Sequence, residues 1–219
     1  WPIYLERGQG PKVWDVDGNE MWDFHNGFGS MLQGHAHPVI GEAIQERYGK
    51  GTHFAAPTED ALAVAENLSS RWGRYTNSGS ESTMDAIRIA RAYTGRDTVM
   101  KIFGSYHGHH DTVMVSIGVE YDKIGDRDNL ASLPYGGGIP DATVQMTVPV
   151  PFNDAEAMER RIIRLTDEGR KPACVIMEPA MMNLGVVLPE PGYLEQVREI
   201  TRRHGVVLIF DEVKTGLCI

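Results

Sequence analysis

The sequence of 219 residues lacks long apolar runs, has few cysteines and carries no excess of basic residues. No stretch approaches the roughly 20 apolar residues that a membrane-spanning helix needs, and the given opening residues do not have the pattern of a secretion signal. The two cysteines, Cys174 and Cys218, are too few for a disulfide framework and favour a reducing compartment. A net charge of −9 disfavours nucleic acid and anionic membranes as partners. These absences predict a cytoplasmic enzyme or small-molecule binder.

The first 50 residues predict a β-hairpin followed by a helix. The stretch "KVWDVDGNEMWDF" alternates apolar and polar residues on both sides of a tight turn at Asp17 and Gly18. Pro38 opens a helix that Gly49 ends, with apolar residues at helical spacing between them. A second helix is expected to start near Thr58, with one apolar face made of Leu62, Ala65, Leu68 and Trp72.

The rest of the chain predicts an α/β fold, a mostly parallel sheet with helices on both faces. A helix follows "TNSGSE" and ends near Gly95, and "TVMKIFG" gives a strand. Residues 118–147 show no clear periodicity and are expected to be irregular. Asn153 and Glu156 have the spacing of a helix N-cap pair, and Gly169 ends that helix. The segments "ACVIMEP", "PGYLEQVREITRRHG" and "VVLIFDE" form a βαβ unit.

Two acids, Glu178 and Asp211, follow the last two predicted strands. Parallel strands bring their carboxyl ends to one edge of a sheet, where open α/β sheets bind ligands. Such an acid can cap a helix or pair with an arginine. It can also bind the protonated ring nitrogen of a cofactor, which raises the pKa of that nitrogen and makes the ring a better electron sink.

Two polar loops offer further candidate sites. The stretch from Asn77 to Glu81 begins a helix, so its free N–H groups suit a phosphate, although Ser78 and Glu81 also fit an ordinary capping pair. It lacks the nucleotide-triphosphate loop pattern, so any phosphate there would belong to a cofactor. The loop "YHGHHD" at 106–111 suggests zinc, but its histidines are crowded and no partner cluster stands out. A polar loop with one stacking aromatic, and no metal, is favoured.

Four segments together resemble the class III aminotransferases, which use pyridoxal 5′-phosphate, and within them the glutamate-1-semialdehyde aminomutase-like branch. They are residues 76–96, 104–111, 178–199 and 208–216, in the order of that family. The resemblance implies the large domain of the aspartate aminotransferase-like fold, incomplete as given. Residues 1–50 would then be an N-terminal segment and residues 51–219 a partial cofactor-binding domain. The family's C-terminal small domain would then lie outside the given sequence.

The resemblance also assigns residues to the cofactor. Three residues match the turn that binds its phosphate, namely Ser78, Gly79 and Ser80. Tyr106 matches the aromatic that stacks on the pyridine ring, and His107 follows it in the motif. Asp211 matches the acid that binds the ring nitrogen, and Val213 matches the residue on the opposite ring face. Glu178 matches the acid near the ring hydroxyl.

The imine-forming lysine of the family has no match among the six lysines, which are Lys12, Lys50, Lys101, Lys123, Lys171 and Lys214. We therefore expect the sequence to be part of a longer transaminase that moves an amino group between an amine or amino acid and a keto acid or aldehyde, as a homodimer. A 2,1-aminomutase is the alternative. A cofactor-binding protein without the lysine and a zinc hydrolase that uses the histidine loop are alternatives of other classes.

Overall fold

The computed structural model describes residues 2–68 and 75–216. By their internal contacts the residues form two compact units, 1–74 and 75–219. A compact unit is not by itself a functional domain, so the assignment of residues 1–50 and 51–219 to functional domains stays a prediction.

The first unit contains a three-stranded antiparallel sheet. Its elements are β1 (Leu5–Gln9), β2 (Lys12–Asp15), β3 (Glu20–Trp22), the short α1 (Asn26–Gly29), α2 (Pro38–Tyr48) and α3 (Glu59–Leu68). The sheet order is β1-β2-β3, so the predicted hairpin is present, whereas β1 was not predicted. The carboxylate of Asp15 stabilises the hairpin turn by accepting the N–H groups of Asp17 and Asn19 at 3.0 and 2.8 Å.

Both predicted helices of this unit form. Pro38 opens α2 and Gly49 follows its last residue, as the proline and glycine pattern indicated. The side chain of Thr58 accepts the N–H of Ala61 and so caps the start of α3. The predicted contribution of Trp72 to the apolar face falls outside the described residues.

The second unit is built on a parallel sheet. Its elements are α4 (Gly79–Thr94), β4 (Val99–Ile102), a 3₁₀ turn (Tyr121–Lys123), β5 (Gly125–Asp126), β6 (Asn129–Leu130), α5 (Asp141–Gln145), β7 (Thr147–Val150), α6 (Ala155–Asp167), β8 (Cys174–Met177), α7 (Tyr193–Arg203) and β9 (Val207–Phe210). The strand order of the main sheet is β7-β4-β8-β9. No helix in the described part of the chain is long and apolar enough to cross a membrane.

Helices cover both faces of this sheet because its strands are apolar on both sides. Met100, Val175 and Met177 belong to a core cluster on the face that packs against α6 and α7. The alternate strand residues Cys174 and Ile176 point the other way and belong to the cluster with Ile87 and Ala90 of α4. The predicted α/β fold class is confirmed.

The region between β4 and α6 differs from the prediction. The segment expected to be irregular holds short elements, including β5, β6 and α5, and the central sheet gains β7, which was not predicted. Pro149 interrupts the sequence pattern of β7, since proline cannot donate to a neighbouring strand. The strand tolerates it because β7 has a single neighbour in the described sheet, β4, with Pro149 opposite Lys101.

The N-cap of α6 is Asp154 and not Asn153. The Oδ1 atom of Asp154 accepts the N–H of Ala157 at 2.9 Å. Asn153 has a positive φ of 57° and uses its side chain elsewhere, donating to the carbonyl of Leu188 and accepting the N–H of Glu190. The predicted spacing was wrong by one residue because a local pattern does not reveal the long-range partners of Asn153.

The register of the last two strands places the two candidate acids at one edge. Met177 pairs with Phe210, so Glu178 and Asp211 are the next residues of neighbouring parallel strands. This confirms the prediction that both carboxylates reach the same edge of the sheet. The loop after β4 begins at that edge too, because β4 pairs with β8 in parallel.

Candidate functional site

A buried pair of side chains, His107 and Asp211, lies at the centre of the candidate site. The Nδ1 atom of His107 is 2.8 Å from Oδ2 of Asp211, and the imidazole is 1% exposed. Oδ1 of Asp211 accepts the N–H of Val213 at 3.1 Å. An ionised carboxylate only accepts hydrogen bonds, so Nδ1 of His107 carries the proton. The pair joins the loop after β4 to the end of β9.

The two acids at the sheet edge differ in their pKa. Burial raises the pKa of Asp211, but the hydrogen bond and charge of His107, with the N–H of Val213, outweigh it and leave the pKa below 3.8. Burial also raises the pKa of Glu178, and the N–H of Met182, 2.9 Å from Oε2, does not offset it. Asp211 is therefore a fixed anion at neutral pH, whereas the ionised form of Glu178 is disfavoured.

The start of α4 has the geometry of a reciprocal N-cap. Oγ of Ser78 accepts the N–H of Glu81 at 3.2 Å, and Oε2 of Glu81 accepts the N–H of Asn77 at 2.7 Å. The capping pair expected from the sequence is present. It leaves the N–H groups of Gly79 and Ser80 free of intrahelical partners, as at any helix start, so they remain able to bind an anion. Capping and anion binding are compatible here.

The histidine loop packs directly on the first turn of α4. Oγ of Ser80 accepts the N–H of His109 at 2.8 Å, and Oγ1 of Thr83 donates to the carbonyl of His107 at 2.6 Å. Gly108 has a φ of 104°, and a Cβ atom there would lie 2.6 Å from Cα of Ser80. Only glycine permits this approach. Sequence reasoning missed Thr83, a buried polar residue one helical turn after the Ser78–Ser80 segment.

Tyr106 and Val213, predicted to lie on opposite ring faces, are both accessible. Tyr106 is 42% exposed and Val213 is 63% exposed. A Cβ atom at Gly79 would lie 3.1 Å from Cγ2 of Val213, so the end of β9 comes close to the first turn of α4. The structure thus brings Val213 and Gly79 together with the His107–Asp211 pair, and it places Tyr106 next to that pair in the chain.

Three buried polar atoms around the site have no hydrogen-bond partner in the described part of the chain: Nε2 of His107, Oε1 of Glu178 and Oγ1 of Thr215. Buried polar groups are nearly always paired, so such a group calls for a partner. Glu178 and His107 follow β8 and β4, two neighbouring parallel strands of the sheet, at the edge where both strands end. A polar ligand with both donors and acceptors fits this arrangement.

The three histidines of the loop do not converge on a metal. His107 is directed to Asp211, and Nε2 of His110 lies 3.2 Å from the hydroxyl of Thr83. Burial and the charge of His107 lower the pKa of His110. Within residues 2–68 and 75–216, no group of three metal-binding side chains is arranged to hold an ion. The geometry of the loop therefore favours contacts to protein groups.

Lys101 is a further functional candidate that sequence reasoning did not select. It belongs to β4, is 0% exposed and donates from Nζ to the carbonyls of Ser105 and Val115 at 2.8 and 2.7 Å. Burial lowers its pKa to about 7, although the charge of Glu178 acts in the opposite direction. A lysine in an apolar strand carries no sequence signal of this role, because its partners are backbone carbonyls.

Comparison with known proteins identifies relatives along the chain. The family described as "Aminotransferase class-III" matches residues 1–219. Glutamate-1-semialdehyde 2,1-aminomutase from Syntrophus aciditrophicus is 41% identical, over 98% of this chain and 49% of its own length. Glutamate-1-semialdehyde 2,1-aminomutase 2 from Geobacillus kaustophilus is 43% identical, also over 98% of this chain and 49% of its own length. The chain spans about half the length of the curated relatives it matches, as these shares state.

Solved structures agree with this assignment. An omega-transaminase from Sphaerobacter thermophilus is 42% identical with a TM-score of 0.87, over 97% of this chain and 49% of that chain. A glutamate-1-semialdehyde aminomutase from Pseudomonas aeruginosa PAO1 is 33% identical with a TM-score of 0.77, over 98% and 46%. The resemblance drawn from the four sequence segments is confirmed. The chain belongs to the class III aminotransferase family.

Proposed function

We propose that the complete polypeptide is a pyridoxal-phosphate-dependent transaminase that moves an amino group between an amine or amino acid and a keto acid or aldehyde. The buried anion of Asp211, held by His107 beside the first turn of α4, is the observation that carries this proposal. Similar proteins support the cofactor, since a 38% identical structure with a TM-score of 0.83 is a transaminase with PLP bound. The aminomutase of Pseudomonas aeruginosa PAO1 is known in complex with PMP.

The residues present fit this cofactor at its phosphate end. The N–H groups of Gly79 and Ser80 and the hydroxyl protons of Ser78 and Ser80 would bind the phosphate. Both hydroxyl oxygens accept bonds within the protein, from Glu81 and His109, which orients their remaining protons. The positive end of the α4 dipole adds to the attraction for a phosphate dianion.

At the ring end, Tyr106 and Val213 would enclose the two faces, and Asp211 would bind the ring nitrogen. When bound, the cofactor supplies an electron sink for the substrate carbon. Asp211 would keep the ring nitrogen protonated because its own pKa is low, and His107 holds its carboxylate in place. Glu178, with its raised pKa and an unpaired Oε1, would face the ring hydroxyl.

The lysine that links covalently to the cofactor is assigned to residues of the full polypeptide other than 1–219. The curated relatives are about twice as long as this chain, which covers 49% of them. Nζ of Lys101 already donates to two buried backbone carbonyls. Lys214 closely follows Asp211 in the sequence, and its positive charge contributes to the lowered pKa of Asp211.

Intact mass of the full polypeptide after incubation with pyridoxal phosphate and borohydride reduction tests the proposal. We expect one covalent adduct per chain, and a donor amine with pyruvate should give a carbonyl product together with alanine. A full-length protein that forms no adduct and transfers no amino group would contradict the proposal. A protein that binds the cofactor without any adduct would instead be the binding protein without the lysine.

A 2,1-aminomutase is the second candidate, because curated relatives at 40 to 43% identity carry the name glutamate-1-semialdehyde 2,1-aminomutase. An aminomutase isomerises one substrate, whereas a transaminase needs a separate donor and acceptor. Incubation with glutamate 1-semialdehyde alone separates them. Complete conversion to an isomer without a second substrate favours the aminomutase, and dependence on an added acceptor favours the transaminase.

We also propose that the enzyme is a cytoplasmic homodimer acting on small molecules, with neither nucleic acid nor membrane as partner. The family resemblance supports the dimer, and exposed apolar side chains such as Phe24 and Phe28 would need cover. The net charge of −9 argues against nucleic acid. Light scattering on the full polypeptide should give twice the mass of one chain, and a monomer would contradict the dimer.

A further inference from the structure

Lys101 is fully buried in β4, between β7 and β8, and the proposed chemistry does not use it. A buried ammonium is costly unless its protons are paired. An apolar residue would suit the strand better, as in the neighbouring positions Met100 and Ile102. A long side chain with a donor at its end is therefore expected to make hydrogen bonds here that an apolar residue cannot make.

The partners of Lys101 are two buried carbonyls, those of Ser105 and Val115. Both residues are 0% exposed. No backbone N–H in the described residues donates to either carbonyl, so Lys101 satisfies both. Removal of the ammonium would leave two buried acceptors unpaired, and the backbone would have to move to reach other donors.

These carbonyls lie on the two chain segments, or limbs, that lead into and out of the histidine loop, residues 106–111. The limbs meet near β4, where the N–H of Gly104 donates to the carbonyl of Ser116 at 2.9 Å. The carbonyl of Ser105 is part of the peptide group that leads into Tyr106. Because a peptide group is planar, a bond that orients this oxygen also orients the N–H and Cα of Tyr106.

The opposite end of the histidine loop is held by α4. Thr83 binds the carbonyl of His107, and Ser80 binds the N–H of His109. Tyr106 and His107 therefore lie between two anchors, with Lys101 at the base of the loop and the first turns of α4 at its tip. The base is held by Lys101 together with the bond between Gly104 and Ser116.

We propose that Lys101 is a positioning residue for the cofactor site: by holding the Ser105–Tyr106 peptide and the carbonyl of Val115, it sets the ring of Tyr106 and the imidazole of His107. This inference rests on the proposed function. Lys101 acts through the loop backbone. Burial lowers the pKa of Lys101, and the negative charge of Glu178 partly offsets this lowering.

Pyridoxamine 5′-phosphate binding to the full polypeptide tests the inference, since this probe needs no covalent lysine. Lys101→Met keeps an unbranched side chain, one atom shorter than lysine, and removes its donors. We expect about tenfold weaker binding by fluorescence, which corresponds to roughly 1.4 kcal/mol, and a smaller circular dichroism band of the bound ring. Inhibition of that binding by inorganic phosphate should be unchanged, because the Ser78–Ser80 turn is not altered. Lys123→Met, on the exposed 3₁₀ turn, is the control and should match the wild type.

Lys101→Gln provides the second variant in case Lys101→Met does not fold. Its amide keeps a donor but lies one bond nearer the backbone than Nζ of lysine, so we expect an intermediate loss of affinity. Wild-type affinity and an unchanged ring band in either folded variant would overturn the inference. Equal losses of affinity for inorganic phosphate and for pyridoxamine 5′-phosphate would also overturn the inference, because they would indicate general damage to the fold. A wild-type protein that binds no pyridoxamine phosphate would contradict the proposed function instead.

Discussion

The ends of β8 and β9 carry the same kind of residue at the same edge of one sheet, yet the two acids behave in opposite ways. Asp211 has His107 as a partner and a lowered pKa, whereas Glu178 has one backbone N–H and a raised pKa. Both are buried, with exposures of 9% and 5%. Burial alone therefore does not decide the direction in which the pKa of a carboxylate is shifted, because the imidazole that the histidine loop brings to β9 reverses that direction for Asp211.

The largest effect should come from replacing the two acids in turn. Asp211→Asn removes the anion at the ring nitrogen, and we expect kcat/KM of the full enzyme to fall roughly a hundredfold or more, as when a fixed charge at a reacting system is lost. Glu178→Gln keeps a polar group of the same shape at a position where burial raises the pKa of the acid, so its loss should be about tenfold or less. Steady-state kinetics measures both, with the exposed Asp122→Asn as a control. Equal losses in the two variants would contradict the assigned difference.

Gly108→Ala should break the contact that brings His107 to Asp211. An alanine must adopt a φ of 104° and place its Cβ 2.6 Å from Cα of Ser80. We expect the free energy of unfolding to fall by about 1–3 kcal/mol or more, with weaker cofactor binding. Gly136→Ala is the matched control, because nothing lies within 4 Å of a Cβ there. Urea unfolding that shows the same stability for both variants would exclude the strain.

The stability contributions of the two acids should change with pH in opposite directions. Asp211 has a lowered pKa in the folded state, so its contribution is present above the unfolded value near 3.8 and is lost as the pH falls further. Glu178 has a raised pKa, so it costs stability as the pH rises above the unfolded value near 4.5. Urea unfolding of wild type, Asp211→Asn and Glu178→Gln between pH 3 and 7, a range of about four units, gives both differences. Slopes of the same sign would refute the assignment.

The smallest effect concerns the first turn of α4. Ser78→Ala removes an N-cap and should cost about 1 kcal/mol of stability together with phosphate affinity. Thr58→Ala removes the comparable N-cap of α3, so it should cost a similar stability and leave cofactor affinity unchanged. Thermal unfolding and pyridoxamine phosphate binding on the same samples compare them. If Thr58→Ala weakened pyridoxamine phosphate binding as much as Ser78→Ala did, Ser78 would act only as a helix cap and not as a phosphate ligand.

Local patterns predicted much of the second unit. The continuous apolar strands before Glu178 and Asp211, the capping pair of Ser78 and Glu81 and the glycine after α4 all depend on residues a few positions apart. Such short-range features follow from backbone geometry and from the burial of both sheet faces. They were sufficient for the fold class and for the shared edge of the two acids.

Contacts between distant residues were not predictable in the same way. Asn153 looked like a cap because its bonds to Leu188 and Glu190 were invisible in the sequence, and β7 was missed because Pro149 is tolerated only in an edge position. The role of Lys101 was also hidden, since a backbone carbonyl can belong to any residue type. In each case the partner is set by the path of the chain.

The sequence by itself determined the alternation of strands and helices, the first turn of α4 and the family, because these depend on local periodicity and on ordered motifs. The tertiary structure alone decided in which direction the pKa of each acid is shifted. His107 and Asp211 are 104 positions apart in the sequence, and only packing of the histidine loop against α4 brings them within 2.8 Å. The physical reason is that a hydrogen bond to a buried carboxylate offsets its desolvation, whereas the same burial without that bond favours the protonated acid.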